Sequence, residues 1–159
     1  MAIDLTTAGV HLKYAVEAVA GTRPTTGYID IPGVKSTPSL NPAPEALDAT
    51  TLNEEEYIVY VQGLKDLGGA LEFSFNLTTA FLTAWETLVS ASETGKASSK
   101  ATWFEIMIPG LTNSVYFKGV PADAGLPAME VNSVLETTAY ITPTGEPTWA
   151  AKSTSSSSD

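Results

Sequence analysis

Over residues 70–95 the chain changes its hydrophobic period, and few folds accommodate that change. From Leu71 to Asn76 apolar and polar side chains alternate, with Leu71, Phe73 and Phe75 facing one way and Glu72, Ser74 and Asn76 the other. Such alternation makes a strand with one buried and one wet face. After Thr78-Thr79, the residues Phe81, Leu82, Trp85, Leu88 and Val89 recur at helical spacing and predict one amphipathic helix over about residues 79–94. Either threonine supplies an N-cap oxygen, and Gly95 is placed to end the helix. A lone helix among strands has to bury its stripe against a sheet, so Phe81, Leu82, Trp85, Leu88 and Val89 are the predicted helix–sheet core.

The flanking chain supplies that sheet. Val10 to Glu17 alternates, with Val10, Leu12, Tyr14 and Val16 opposite His11, Lys13 and Glu17, until Gly21 and Arg23-Pro24 interrupt it. Tyr28 to Ile31 reads as a short strand stopped by Pro32-Gly33. Thr102–Ile108 and Val115–Val120 predict a hairpin across Gly110–Asn113. Ala128 to Thr142 is the longest strand candidate: Met129, Val131, Ser133, Leu135, Thr137 and Ala139 alternate with Glu130, Asn132, Val134, Glu136 and Thr138. Six or seven strands and one helix make a mainly β fold, a β-sandwich or barrel with one packed helix. A chain of 159 residues is one domain on length, here residues 1–150. Within it, residues 1–9 read as an N-terminal arm, 35–69 as a long loop and 143–150 as a C-terminal arm. The Ser-rich residues 151–159 are expected to be disordered.

The long loop is unusual. It carries Pro38, Pro42 and Pro44, the acidic run Glu54-Glu55-Glu56, and the apolar residues Leu47, Leu52, Tyr57, Ile58, Val59, Tyr60 and Val61. Long segments without regular structure are uncommon in compact domains, and this one is too apolar for a solvated linker. Two readings stand open, an inter-subunit contact and an intrachain hairpin. The candidate contact residues are Leu47, Asp48, Leu52, Tyr57, Ile58, Val59, Tyr60, Val61, Lys65 and Asp66.

Composition narrows the function. The net charge of −10 argues against a surface that grips nucleic acid by neutralising phosphates, though not against one that lets nucleic acid pass. With no cysteine, disulfide and thiolate chemistry are excluded. The start MAIDLTTAGV has no basic region followed by an apolar run, so a secretion signal is not expected. His11 is the only histidine and sits in a strand pattern. The chain has no Gly-rich phosphate loop, GxSxG elbow or HExxH. Glu54-Glu55-Glu56 lacks the alternating oxygens of a calcium loop and reads as a solvated turn. Glu72, Glu130 and Glu136 lie on polar strand faces with no sugar-stacking aromatic beside them, which leaves a glycosidase pair unsupported. The expectation is a non-enzyme with no cofactor and no metal.

Within residues 46–75, Leu47-Asp48-Ala49-Thr50-Thr51, an acidic stretch, then Gln62-Gly63-Leu64-Lys65-Asp66-Leu67-Gly68 run into an alternating strand. This order resembles the major tail tube proteins of long-tailed bacteriophages with non-contractile tails. Family members show a D-x-T element, a G-L-K-D-x-G element and a strand with glutamate near its start. Asp48, Thr50, Gly63, Leu64, Lys65, Asp66, Gly68 and Glu72 match in order, and the layout of arm, long loop, strand into helix and closing strands extends the likeness to the whole chain. The departure is Gly69-Ala70 before Leu71, where members often enter the strand directly.

The resemblance implies a virion structural protein, assembled in the host bacterial cytoplasm. It would form hexameric rings stacked into a tube that conducts the genome during ejection. Its implied partners are further copies of itself, the tape-measure protein, and tail-terminator or distal-tail proteins, with DNA passing unbound and no membrane involved. Contractile-tail inner tubes and type VI secretion tubes share the fold and stand as the alternative, and a carbohydrate-binding or adhesin-like sandwich is a more distant one. On the tube reading, Glu72, Ser74 and Asn76 with Glu130, Asn132, Glu136 and Thr138 are the candidate lumen residues, an acidic and amide-rich face without a basic side chain.

Overall fold

The computed structural model describes residues 9–53 and 55–153. The predicted arm up to Ala8, Glu54 of the acidic run, and the Ser-rich tail from Thr154 lie outside the described residues. The described elements, in chain order, are β1 (His11–Val16), β2 (Ile29–Ile31), β3 (Val34–Ser36), β4 (Pro44–Asp48), β5 (Tyr60–Lys65), β6 (Leu71–Asn76), α1 (Thr79–Ala97), β7 (Thr102–Met107), β8 (Asn113–Pro121), β9 (Glu136–Pro143) and β10 (Thr148–Ala151).

Eight strands form one antiparallel sheet in the order β2-β1-β7-β8-β9-β6-β3, with β10 added on β8. The sheet curls into a half-barrel, and the helix lies against its inner face. Cross-strand partners share a face, so register assigns the inner face directly. Leu12 opposite Ile106, Tyr14 opposite Phe104 and Phe104 opposite Phe117 continue through Ile141, Leu71, Phe73 and Phe75. All of them are buried in one cluster with Phe81, Trp85 and Leu88 of the helix. Phe75 and Phe81 are 4.6 Å apart between ring centres, and Trp85 lies 5.9 Å from Phe75. Offset and tilted rings at these separations contribute beyond their buried area. The Trp85 indole N–H donates to the Ala122 carbonyl at 2.8 Å, so burying it leaves no donor unpaired.

The helix termini follow local chemistry. Thr78 is the N-cap, its hydroxyl accepting from the Phe81 amide at 3.1 Å. At the other end Gly95 does not stop the helix, which continues to Ala97. Lys100 N–H donates to Gly95 C=O and Ser99 N–H to Lys96 C=O, with Ser99 at φ 58°, the two bonds of a Schellman cap built on serine. Gly95 serves packing instead. A Cβ there would come within 2.7 Å of Val16 Cγ1 on β1.

Two sequence expectations are corrected here. Leu82, assigned to the core, points away from the sheet and is 38% exposed, one position round the helix from Phe81. Val89 is half-buried at the cluster's edge. The long strand predicted over 128–142 forms only from Glu136. Residues 122–135 make no strand, and Leu126, Met129, Val131, Val134 and Leu135 are exposed. Alternation alone does not make a strand when no partner edge is in reach.

Replacing Trp85 with alanine is expected to lower stability by roughly 3–5 kcal/mol, the usual range for a large-to-small core change. Leu82→Ala is expected to stay within about 1 kcal/mol. Thermal or urea unfolding of the two variants checks the helix orientation.

Candidate assembly surfaces

The outer face of the sheet divides into two halves with different chemistry. Over β9, β6 and β3 it is open and polar. Glu72 lies opposite Tyr140, Ser74 opposite Thr138, and Asn76 opposite Glu136. Five of the seven candidate lumen residues, Glu72, Ser74, Asn76, Glu136 and Thr138, therefore share one face. Glu130 and Asn132 do not join them, because they sit in the irregular 122–135 segment. Nor is the face free of cations. Lys35 on β3 pairs with Glu136, which leaves Glu72 as its unneutralised carboxylate among the strand residues just named.

Over β1, β7 and β8 the outer face is covered, and two buried glutamates organise it. Glu105 on β7 is fully buried. It accepts from the Ser153 backbone N–H at 3.0 Å, the Ser153 hydroxyl at 2.6 Å and the Tyr116 hydroxyl at 2.7 Å. The Tyr116 hydroxyl is also 2.6 Å from the Ala151 carbonyl oxygen, so its single proton is shared between two acceptors. Arg23 lies 4.3 Å over the Tyr116 ring, and Tyr28 packs against that ring tilted, at 5.7 Å between ring centres. Burial pushes the Glu105 carboxyl upward, but the hydrogen bonds from Ser153 and Tyr116 outweigh it and hold the group below its ordinary 4.5. Tyr116 moves the other way, raised by burial and by its bond to Glu105.

Glu17, just beyond β1, accepts from the Trp103 indole at 2.8 Å and from the amides of Gly21 at 2.7 Å and Ala101 at 3.2 Å. Burial raises its pKa, but these bonds, with the charge of Lys118, lower it overall. Both carboxylates thus tie chain segments together and have their oxygens occupied. The lone histidine pairs with Asp30 at 3.3 Å on the sheet surface. Among the described residues no group of three metal-ligating side chains comes together. No helix of the described residues is long and apolar enough to cross a membrane.

The long segment folds back on itself. β4 and β5 pair as a separate two-stranded sheet, with Leu47 opposite Val61 and Asp48 opposite Tyr60. The hairpin alternative is therefore the local structure, and it leaves the contact question open, because from Pro44 to Lys65 every described residue except Gly63 is exposed. Leu47, Leu52, Tyr57, Ile58, Val59, Tyr60, Val61 and Leu64 all face solvent. Asp48 and Asp66 serve the turns: Asp48 Oδ1 accepts from the Thr50 amide at 2.9 Å and Asp66 Oδ1 from the Gly68 amide at 2.8 Å. The bonds from Thr50 also hold the Asp48 carboxyl below its ordinary value. Thr50 Oγ1 accepts from the Val59 amide at 2.8 Å, which closes the hairpin end. The D-x-T and G-L-K-D-x-G elements are thus turn chemistry that shapes a projecting hairpin.

The same fold occurs in a baseplate. A chain of the cryo-EM structure of the anti-feeding prophage (AFP) baseplate, 6-fold symmetrised, superposes with TM-score 0.60 over 95% of this chain and 98% of that one, at 8% identity. A likeness at that identity establishes a shared fold. A chain of the phage p2 baseplate in its activated conformation with Sr gives TM-score 0.41 at 15% identity, over 84% of this chain and 43% of that one. Neither a protein-family model nor a curated protein sequence matches the chain.

The sense of the glutamate shifts sets a pH dependence. A carboxyl held below 4.5 when folded stabilises the fold fully above that value and loses its contribution as the pH falls through the folded value. The thermal midpoint is expected to drop as the pH goes below about 4.5. Glu105→Gln is expected to lose about 1–3 kcal/mol at pH 7 and to differ less from the parent at pH 3. Equal pH profiles for parent and variant would contradict the role given to Glu105.

Proposed function

We propose that the protein is a structural subunit of a phage tail tube, in which six-membered rings stack around a lumen that conducts the genome. The observation that carries this reading is the β4–β5 hairpin. An isolated two-stranded hairpin is marginal in water, and this one presents a run of large apolar side chains on both its faces without burying them. Such a surface marks a binding site. A repeating neighbour is the partner that its resemblance to tail tube proteins supplies. The irregular segment 122–135, equally apolar and exposed, gives the chain a second unsatisfied surface. Two dissimilar surfaces suit the head-to-tail contacts that close rings or extend filaments.

The fold shared with a chain of the six-fold symmetrised AFP baseplate supports a ring-forming role in a tail-like particle. It also favours a second reading, a subunit of a baseplate ring that does not repeat along a tube. The two differ in whether rings of this chain stack on one another. Electron microscopy of the purified protein is expected to show tubes. Single rings would favour the baseplate reading, and dispersed monomers would contradict both. Replacing Tyr57–Val61 with a Gly/Ser linker is expected to leave a folded subunit that no longer forms tubes, and normal tubes from that variant would remove the hairpin from the contact.

In the tube reading, the open polar face of β9, β6 and β3 lines the lumen. Glu136 is neutralised by Lys35, so Glu72 supplies the repelling charge, repeated six times per ring. Its field is screened beyond about 8–10 Å at physiological ionic strength, which keeps the duplex off the wall without binding it. Glu72→Lys is expected to leave the subunit folded, since the side chain is exposed, and to slow DNA release from particles built with the variant. Unchanged release kinetics in such particles would contradict the lumen assignment.

A further inference from the structure

Strands β9 and β10 follow one another along the same edge of β8. β9 pairs with Gly119–Pro121, the Thr144 amide donates to Lys118 C=O, and β10 pairs with Asn113–Tyr116. Between them Gly145, Glu146 and Pro147 form an interruption in the ladder. β10 adds no side chain to the core cluster. Its hold on the domain is the short ladder, the Lys152 amide on the Thr112 carbonyl at 3.4 Å, the Tyr116 hydroxyl on the Ala151 carbonyl, and the Glu105 carboxylate on the Ser153 amide and hydroxyl. Trp149, opposite Val115, stays 60% exposed.

We propose that the β8 edge from Asn113 to Tyr116, together with the Glu105–Tyr116 socket, is a strand-acceptor site, and that its occupant in the assembled state is residues 148–153 of a second copy of this chain. The site reads an extended backbone through the ladder, one carbonyl through Tyr116, and an N–H with a nearby hydroxyl through Glu105. None of these features depends on which copy supplies the strand, so exchange conserves every hydrogen bond. It requires rearrangement only at Gly145–Pro147, the interruption between the Thr144 bond and the start of β10. Short connections of this kind invite swapping. Trp149 is 60% exposed with its strand docked, so β10 has little apolar burial to lose when it leaves its own domain, and high local concentration of a second copy then favours exchange. The exchange needs a neighbouring copy and does not need that neighbour to belong to a tube.

The absence of cysteine from the chain makes a direct test available. Asn113 and Ala151 are cross-strand partners, and both are exposed. Two full-length variants, N113C and A151C, carrying different tags, are mixed at assembly concentration and oxidised. Exchange is expected to give a disulfide between the two tagged chains. Glu105→Gln, which weakens the hold on Ser153, is expected to speed its appearance roughly tenfold, as loss of a hydrogen bond to a charged group would. Ser153→Pro removes the same N–H and hydroxyl from the outer segment, and gives the same comparison should Glu105→Gln fold poorly. A double variant, N113C/A151C, that closes within single chains, with no mixed disulfide from the single variants, overturns the proposal. If that result comes from material that forms tubes, only the exchange fails. A mixed disulfide in material without tubes supports the exchange and counts against the tube.

Discussion

Everything else in the domain rests on one helix filling the inside of a curled sheet. The sheet's two ends, β2 with β1 and β6 with β3, belong to one core because both reach Phe81, Trp85 and Leu88 or their immediate neighbours. Without that wedge, an eight-stranded sheet of this order would expose Leu12, Phe73, Phe75, Phe104 and Phe117 on its inner face, more apolar surface than strand pairing compensates. The approach is close enough that β1 and the helix meet at a glycine, with no room for a Cβ at Gly95. The helix commits the inner face to stability, and anything the protein does for a partner has to be done on the outer face, the hairpin and the irregular segment.

The outer face is itself split by hydrogen-bond demand. The carboxylate oxygens of Glu105 and Glu17 are buried, and such groups are tolerated only when donors surround them. Most of the donors come from far along the chain: Ser153 for Glu105, Ala101 and Trp103 for Glu17, with Gly21 the local one. Each glutamate therefore recruits a loop or terminal segment that would otherwise have little reason to dock. On the β9–β6–β3 half no distant segment is recruited in this way, and Glu72, Thr138 and the Lys35–Glu136 pair remain in water. The contrast makes one half structural and leaves the other available.

Much of this was legible in the sequence where a residue's role depends on its neighbours in the chain. The Leu71–Asn76 strand, the Thr78 cap and the Phe81–Trp85–Leu88 stripe are local patterns, and the structure places them as spaced. The shared face of Glu72, Ser74, Asn76, Glu136 and Thr138 was legible in part, because alternation assigns a face but not which strands adjoin. Glu130 and Asn132 were placed there by a pattern that runs smoothly through Glu136, and nothing local shows that the strand lacks a partner edge before that residue. Lys35 was missed on that face for the same reason: its link to Glu136 spans 101 positions and crosses β6. The two buried glutamates were hidden differently. Glu17 and Glu105 occupy polar positions of strands and look like surface residues, and only the folded register brings Trp103 and Ser153 to them.

The hairpin shows what a turn motif can and cannot specify. Asp48, Thr50, Asp66 and Gly68 close backbone hydrogen bonds that a hairpin of this length needs, and they do so without help from the domain. They determine that a hairpin forms, but its side chains face water on both sides of a two-stranded ribbon. Turn bonds of this kind are each worth about 1 kcal/mol net, too little against the ordering of roughly twenty residues at about 1–2 kcal/mol each. The missing stabilisation has to come from the apolar surface of Leu47, Tyr57, Ile58, Tyr60 and Val61, and that surface contributes only when something covers it. In the proposed assembly an adjacent copy would cover that surface, so ordering of the hairpin and growth of the assembly would become one equilibrium.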